Sequence, residues 1–566
     1  MKILLIYPYC LDQRVIDYDI KAVPIGLYYV GALLKEKGMD VEILNWHDLG
    51  NSPGVIEGIL AKKRPDIIGV SIMHANRWGG IDVARIAKRL NPDVKIIFGG
   101  VGATFLWEHI LMNFREIDFV ILGEGEFTFL SLVEKISGKN KGDFKGIGGI
   151  AYRLNGKAIR TEGPEFIPDI DSLPNPARYF TFEHVVSSRG CPWNCTFCGS
   201  PQFWKRRVRF HSPDYFVEQL ALLYEKGRRF FYFSDDTFTV KKDRVIEICK
   251  KILGKGLDIS WVAISRVNYV DEEVLCWMRN AGCIQISYGI ESGSARIRDL
   301  LNKNIRLEDI KRAFALTTRY GILARAYLIY GCPGESWQTI QETIDLINEI
   351  RPLSAIFYIL DLFPGTQLYS EFIKKTKSSD DIWLKRIEDI MYFETDPKLT
   401  AGDILAFGKR LRGEFYKNLH RYADSIELED DPALYPLHAD FLSRLAMTFS
   451  HGDYARIDAV KDREHTAETL FERAIGYHPD HRAYLGLAVL RQKRGDMEGS
   501  IKAASEGLKY SPGSEDLGIC LGLSLMNLGR YEEALSRLVP FQGSQKCLAY
   551  INSCRAALGL PGASAP

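Results

Sequence analysis

Residues 187–200 read SSRGCPWNCTFCGS. Cys191, Cys195 and Cys198 stand at C-x3-C-x2-C spacing, one thiol short of the four that close a structural zinc or iron–sulfur site. A zinc reading lacks a second C-x2-C pair or an H-x3-H, and His184 and His211 flank the run without ligand spacing. The bland alternative is three buried, unligated thiols. Three thiolates on one short loop suit a [4Fe–4S] cubane held at three corners, with the last iron open to a substrate or cofactor.

The run follows a strand candidate, HVVSSR (184–189), and five more follow it: RFFYFSDD (229–236), ISWVAIS (259–265), IQISYGIE (284–291), ARAYLIYG (324–331) and AIFYILDLF (355–363). Amphipathic stretches such as DYFVEQLALLYEKG lie between them. Six βα units over 184–370 are too few for an eight-unit barrel but enough for a partial one, with its chemistry at the strand C-terminal ends. Upstream, KILLIYP (2–8), VEILN (41–45), DIIGVSI (66–72), KIIFGGV (95–101) and DFVILGEGE (118–126) alternate with helical stretches. Residues 1–140 therefore read as a doubly wound parallel sheet, with glycines clustered at strand ends where ligands approach the backbone. Residues 141–183, with the hairpin GIAYRLNGKAIRT, read as a linker.

Residues 371–463 read as a helical extension of irregular pattern. From 464 to 558 a repeat appears: Leu487 superposes on Leu521 and Gly495 on Gly529, while Pro479 and Pro512 close successive helix pairs. The period resembles tetratricopeptide repeats and implies either a helical cap or a protein-binding module. The tail 559–566, GLPGASAP ending the chain, reads as disordered.

Length and composition bound the function. The 566 residues exceed one core, and a net charge of +1 offers no bulk attraction for nucleic acid or anionic membrane. No apolar run reaches the ~18 residues of a membrane span. The opening MKILLIYPYCLDQR reads as a strand and not a signal peptide. Eleven cysteines without a disulfide framework suit a reducing, cytoplasmic setting.

The C-x3-C-x-F-C pattern after the first strand of a six-unit partial barrel resembles the radical S-adenosylmethionine superfamily. The resemblance implies that the open iron chelates S-adenosylmethionine, that one electron cleaves its C–S bond, and that a 5′-deoxyadenosyl radical abstracts hydrogen. The electron would come from a donor such as flavodoxin or ferredoxin. The resemblance places Phe197 near adenine, Ser234, Asp235 and Asp236 near the methionine amino group, and Arg266 on the carboxylate. It places Glu291 and Ser292 of GIESGS (289–294) near ribose or the amino group, and Gly331 of LIYGCPGES (328–336) beside adenine. FPGT (363–366) resembles the sixth-strand motif.

Residues 1–140 resemble the cobalamin-binding domains fused to this superfamily. Gly69, Ser71, His74, Gly99, Gly100, Gly102, Thr104, Gly123 and Glu124 would lie near the corrin. NWHDLG (45–50) imitates the D-x-H-x-x-G cobalt-ligand motif, but asparagine replaces aspartate and the motif follows the second strand, whereas mutases carry it after the first, here YPYCLDQR. Cobalamin with no lower histidine is therefore expected. Together these features imply a methyltransferase acting on an unactivated carbon or on phosphorus of a small molecule. The alternatives are a non-methylating cyclase or oxidase with the same cofactors, and a repeat scaffold with a vestigial core. A methylthiotransferase would need three more cysteines upstream, where residues 1–183 hold only Cys10. Trp193, Phe203, Trp204, Tyr232, Phe238, Tyr327, Tyr358 and Trp383 are candidate substrate walls, and Lys205, Arg206, Arg207 and Arg209 a candidate anion site.

Overall fold

Alternate residues of the first strand separate two apolar clusters. Leu4 and Ile6 face one, with Ile56, Leu60 and Ile81, while Ile3 and Leu5 face the other, with Leu33, Leu34 and Phe129. Both faces of the strand are thus covered by helices, as the near-continuous apolar run KILLIY demands. The computed structural model describes residues 1–11, 23–50, 52–138, 143–163 and 166–562.

The first sheet holds β1 (Lys2–Tyr7), β2 (Asp40–Asn45), β3 (Ile67–Ser71), β4 (Lys95–Gly99) and β5 (Phe119–Ile121). They are parallel, in the order β2-β1-β3-β4-β5, so the connection reverses between β1 and β3. A crevice for ligands opens at such a switch point. The expected hairpin exists as β6 (Ile150–Leu154) and β7 (Lys157–Arg160), turned by left-handed Asn155 and Gly156. It does not stand in a linker: β6 pairs antiparallel with β5, Phe119 opposite Tyr152, and completes a seven-stranded sheet. A lone hairpin is marginal in water, and Ile150, Ala151 and Tyr152 find burial only on that edge.

The second sheet is parallel throughout: β8 (His184–Val185), β11 (Phe230–Phe233), β12 (Ser260–Ser265), β13 (Cys283–Glu291), β14 (Leu323–Tyr330) and β15 (Ser354–Ile359). Its edges β8 and β15 do not pair with each other, the open form expected of a partial barrel. The first strand is shorter than the apolar run suggested. After Val185 the chain leaves the sheet, and β9 (Ser188–Arg189) pairs antiparallel with β10 (Arg209–Phe210). Asp235 causes the departure by accepting bonds from the Ser187 amide (3.0 Å), the Ser187 hydroxyl (2.8 Å) and the Ser188 hydroxyl.

Residues 380–394 cross back to the first domain. Arg77 donates to the carbonyls of Glu388 (2.9 Å) and Ile387, and Arg386 pairs with Asp82. The helix Tyr435–Ser450 closes the other end of the barrel, where its strands begin. Asp440 pairs with Arg279 (2.9 Å), Arg444 reaches Ser260, and nearby Tyr454 donates to Leu353 O (2.7 Å). Six further helices follow. Three start at Arg463, Met497 and Tyr531 and two at His481 and Glu515, each set recurring every 34 residues. The last, Gln545–Ala557, ends the helical region. The tail beyond Gly562 lies outside the described residues.

Candidate active site

The loop carrying Cys191, Cys195 and Cys198 is pinned by its backbone. Thr196 N donates to Leu301 O (3.1 Å), Thr196 O accepts from Leu368 N (3.1 Å), and Asn302 Nδ2 donates to Asn194 O (2.6 Å). The three thiols are half-buried and form no disulfide. Among the described residues no three His, Cys, Asp or Glu side chains converge on a single-ion site. A cubane does not ask for that, because each thiolate bonds its own iron corner. Burial raises the Cys191 thiol and pushes Cys198 up to about 12, with Asp236 acting in the same direction. Bound iron would reverse that bias, since a metal deprotonates its thiol ligands. Free thiols on one rigid loop therefore fit a three-corner cluster.

Of the residues assigned to S-adenosylmethionine, Ser234 and Asp236 line a cavity beside this loop. Ser234 Oγ lies 3.0 Å from His184 Nδ1, and Asp236 accepts from Ser200 Oγ at 2.8 Å. Phe197 is half-buried against the apolar cluster shared with the first domain. Asp235 departs from expectation: its carboxylate is spent on Ser187 and Ser188, so it shapes the loop from behind. Arg266 also departs. Its Nη2 donates to the Lys303 and Asn304 carbonyls and its Nη1 faces Cys195 Sγ at 3.8 Å, so no free fork remains for a carboxylate in this arrangement. Glu291 adopts a left-handed backbone, φ 67°, and pairs with Lys303 at 2.6 Å. Ser292 bonds Thr343 and the Ser294 amide. The amides of Gly331 and Cys332 donate to Glu335.

The same cavity reaches down between β1 and β3, where Leu5, Val30, Gly69 and Phe129 make an apolar cleft. Ser71, Gly99, Gly100, Gly123 and Glu124 form its rim on the first domain, and Gly190 and Trp204 on the barrel. A Cβ on Gly69 would stand 2.7 Å from Leu5 and 2.9 Å from Phe129, so only hydrogen keeps the cleft open. Thr104 ties two strand ends together, donating to Gly100 O (2.9 Å) and accepting from Gly123 N (3.0 Å). Besides Thr104, two more assigned residues do not line this cavity. His74 is buried edge-on against Trp383 (4.2 Å) and held neutral by burial and by Arg77. Gly102 allows a close backbone approach, since a Cβ would meet Met73 O at 2.4 Å. His47 stacks on Tyr7, and no histidine is among the residues lining the cavity. The loop YPYCLDQR is described only to Leu11. An apolar cleft beneath a glycine rim fits a corrinoid, which these residues would hold.

Comparison with known proteins agrees with this geometry. Residues 185–347 match the Radical SAM superfamily model and residues 15–133 the B12 binding domain model. An uncharacterized methyltransferase of Pyrococcus horikoshii is 37% identical over 385 residues, 65% of this chain and 82% of the relative. The chain belongs to the radical SAM superfamily, in the branch with a B12-binding domain. Another relative of this radical SAM enzyme is the anaerobic magnesium-protoporphyrin IX monomethyl ester cyclase of Rubrivivax gelatinosus. It is 28% identical over 63% of this chain and 67% of the relative. The structure of the radical S-adenosylmethionine methyltransferase TsrM from Kitasatospora setae, with cobalamin and a [4Fe-4S] cluster bound, shares the fold. Its TM-score is 0.60 at 15% identity, over 84% of this chain and all of that one. The cofactors of the radical SAM enzyme are accordingly a [4Fe–4S] cluster, S-adenosylmethionine and cobalamin.

One part of this radical SAM site was not found from sequence. Arg189, two residues before Cys191, is buried between Glu124 and Glu126, 2.7 Å from each, and lies 4.9 Å over the Tyr29 ring. Arg209 adds a second pair to Glu124 at 2.6 Å. Burial alone would raise the Glu124 carboxyl, but the two guanidinium groups hold it below its ordinary value. Tyr29 Oη in turn meets His211 Nε2 (2.9 Å), whose Nδ1 meets Asp171 (2.8 Å). The only sequence signal was the charge itself, an arginine ending an apolar strand. Of the proposed walls, Phe203 and Trp204 line the cavity, whereas Phe238 and Trp383 are buried packing residues. Arg209 is bound to Glu124 and Ile167 O and so leaves the proposed anion site.

Proposed function

We propose that this radical SAM enzyme is a cobalamin-dependent methyltransferase acting on an unactivated carbon, or on phosphorus, of a small molecule. One observation carries the reading. A single cavity joins the strand-end glycines of the B12-binding domain to Ser234, Asp236 and Gly190 beside the cysteine loop, which supports the two cofactors meeting in one space. When bound, the cluster with S-adenosylmethionine supplies a hydrogen-abstracting radical and cobalamin supplies the methyl carrier. The chain supplies alignment. Arg189 locks the cysteine loop to the first domain, Thr104 holds the rim, and Phe203 and Trp204 wall the cavity against water. The relative from Pyrococcus horikoshii supports methyl transfer, and the cyclase relative supports the second reading, radical chemistry without it.

The free thiols fit a cytoplasmic setting, and a radical SAM cluster that has to be reduced calls for an electron donor such as flavodoxin or ferredoxin. The 34-residue recurrence of the C-terminal helices supports a tetratricopeptide-like module. Its mount, the helix Tyr435–Ser450, sits at the barrel end opposite the cysteine loop, which fits partner docking better than a substrate wall. No helix among the described residues is long and apolar enough to cross a membrane.

The test is anaerobic purification with iron and cobalamin supplied, then product analysis with candidate substrates. Methylated product with both deoxyadenosine and S-adenosylhomocysteine is expected. Deoxyadenosine and altered substrate without S-adenosylhomocysteine would establish the cyclase-type reading instead.

A further inference from the structure

We infer that Arg266, clamped between Trp193 and Cys195, is a positioning residue that sets the reduction potential of the iron–sulfur cluster. The inference rests on the cluster reading above and adds a role within it.

Arg266 follows β12 and is only 4% exposed. Its guanidinium carbon lies 4.1 Å over the Trp193 ring, inside the C-x3-C loop. Nη1 lies 3.8 Å from Cys195 Sγ, and Nη2 donates to the Lys303 and Asn304 carbonyls. Nε is buried with no partner. Among the described residues, no carboxylate lies within ion-pair distance of this guanidinium; the Lys303–Glu291 pair beside it is closed on itself. The two carbonyls and the indole that partner this guanidinium are neutral, and only Cys195, as a thiolate, would bring a negative charge. A buried cation without an anion is costly. The Cys195 thiolate, and the anionic cluster it helps hold, are the charge that makes this burial tolerable.

The consequence is electrical. When the oxidised cluster takes one electron from an added one-electron reductant, the site gains one negative charge. A fixed cation and an N–H···S bond stabilise the reduced state more than the oxidised one, which raises the potential. Lysine would keep the charge but lose the planar stack and the fork.

The experiment is an EPR-monitored redox titration of reconstituted protein without S-adenosylmethionine. The Arg266→Met variant is expected to titrate at a more negative potential than wild type, with Arg266→Lys between them. A methionine variant with wild-type iron content and an unchanged potential overturns the inference. Should that variant not hold the cluster, wild-type protein carrying guanidino-15N arginine decides by pulsed EPR of the reduced cluster. A 15N coupling supports the contact, and its absence refutes it. Wild-type protein that takes up no iron at all would overturn the cluster reading itself.

Discussion

Arg189 Nη2 lies 2.7 Å from Glu126 Oε1, joining the residue pair before the cysteine loop to the helix behind the glycine rim. Nη1 bonds Glu124 at the same distance, so one side chain holds the two cofactor-bearing halves in register.

Arg189→Met is expected to leave two buried carboxylates with one fewer counter-charge, at a cost of about 3–5 kcal/mol. Urea denaturation of the iron-free protein measures it. Adding Glu126→Leu should restore part of the loss, because the orphaned charge is then removed as well.

Replacing Cys191, Cys195 and Cys198 together by alanine should abolish bound iron and reductive cleavage of S-adenosylmethionine. The thiols are half-buried and make no disulfide, so far-UV circular dichroism should remain that of wild type. Retained iron would place the cluster elsewhere.

Gly69→Val should fill the cleft that Leu5 and Phe129 border, given the 2.7 Å and 2.9 Å approaches to a Cβ. Cobalamin retained after reconstitution, read from the visible spectrum, is expected to fall at least ~10-fold while iron content stays unchanged, because a bulky side chain at a packed site must displace its neighbours.

Glu335 predicts a pH dependence. Burial pushes its carboxyl up to about 7, against the Gly331 and Cys332 amides and Arg296, which pull it down. A raised carboxyl means that the folded state binds this proton more tightly than the unfolded chain. Its stabilising effect is complete below the ordinary glutamate range and is lost as pH rises to about 7. The difference is on the order of 3 kcal/mol. Denaturation at pH 5 and pH 8 should show this decline in wild type and a smaller one in Glu335→Gln.

The two sheets were legible because their strands are short, apolar and spaced by helical stretches, and the cysteine spacing named its chemistry directly. The hairpin at 150–160 was legible from its Asn-Gly turn, yet its place was not: joining β5 depends on an edge that no local pattern announces. Residues 380–394 show the same limit. Trp383 looked like a substrate wall, but it covers His74 and Arg77 in the first domain.

What the amino-acid order determined by itself was the kind of chemistry, because three thiols at that spacing, six strand-end motifs and a glycine-rimmed sheet are all local in the chain. Tertiary structure alone decided which polar groups serve that chemistry and which serve the frame. Asp235, Glu124, Arg189 and Arg266 are charges that each have a partner 47 or more residues away. A buried charge takes its role from its nearest countercharge, and that neighbour exists only after the chain has folded.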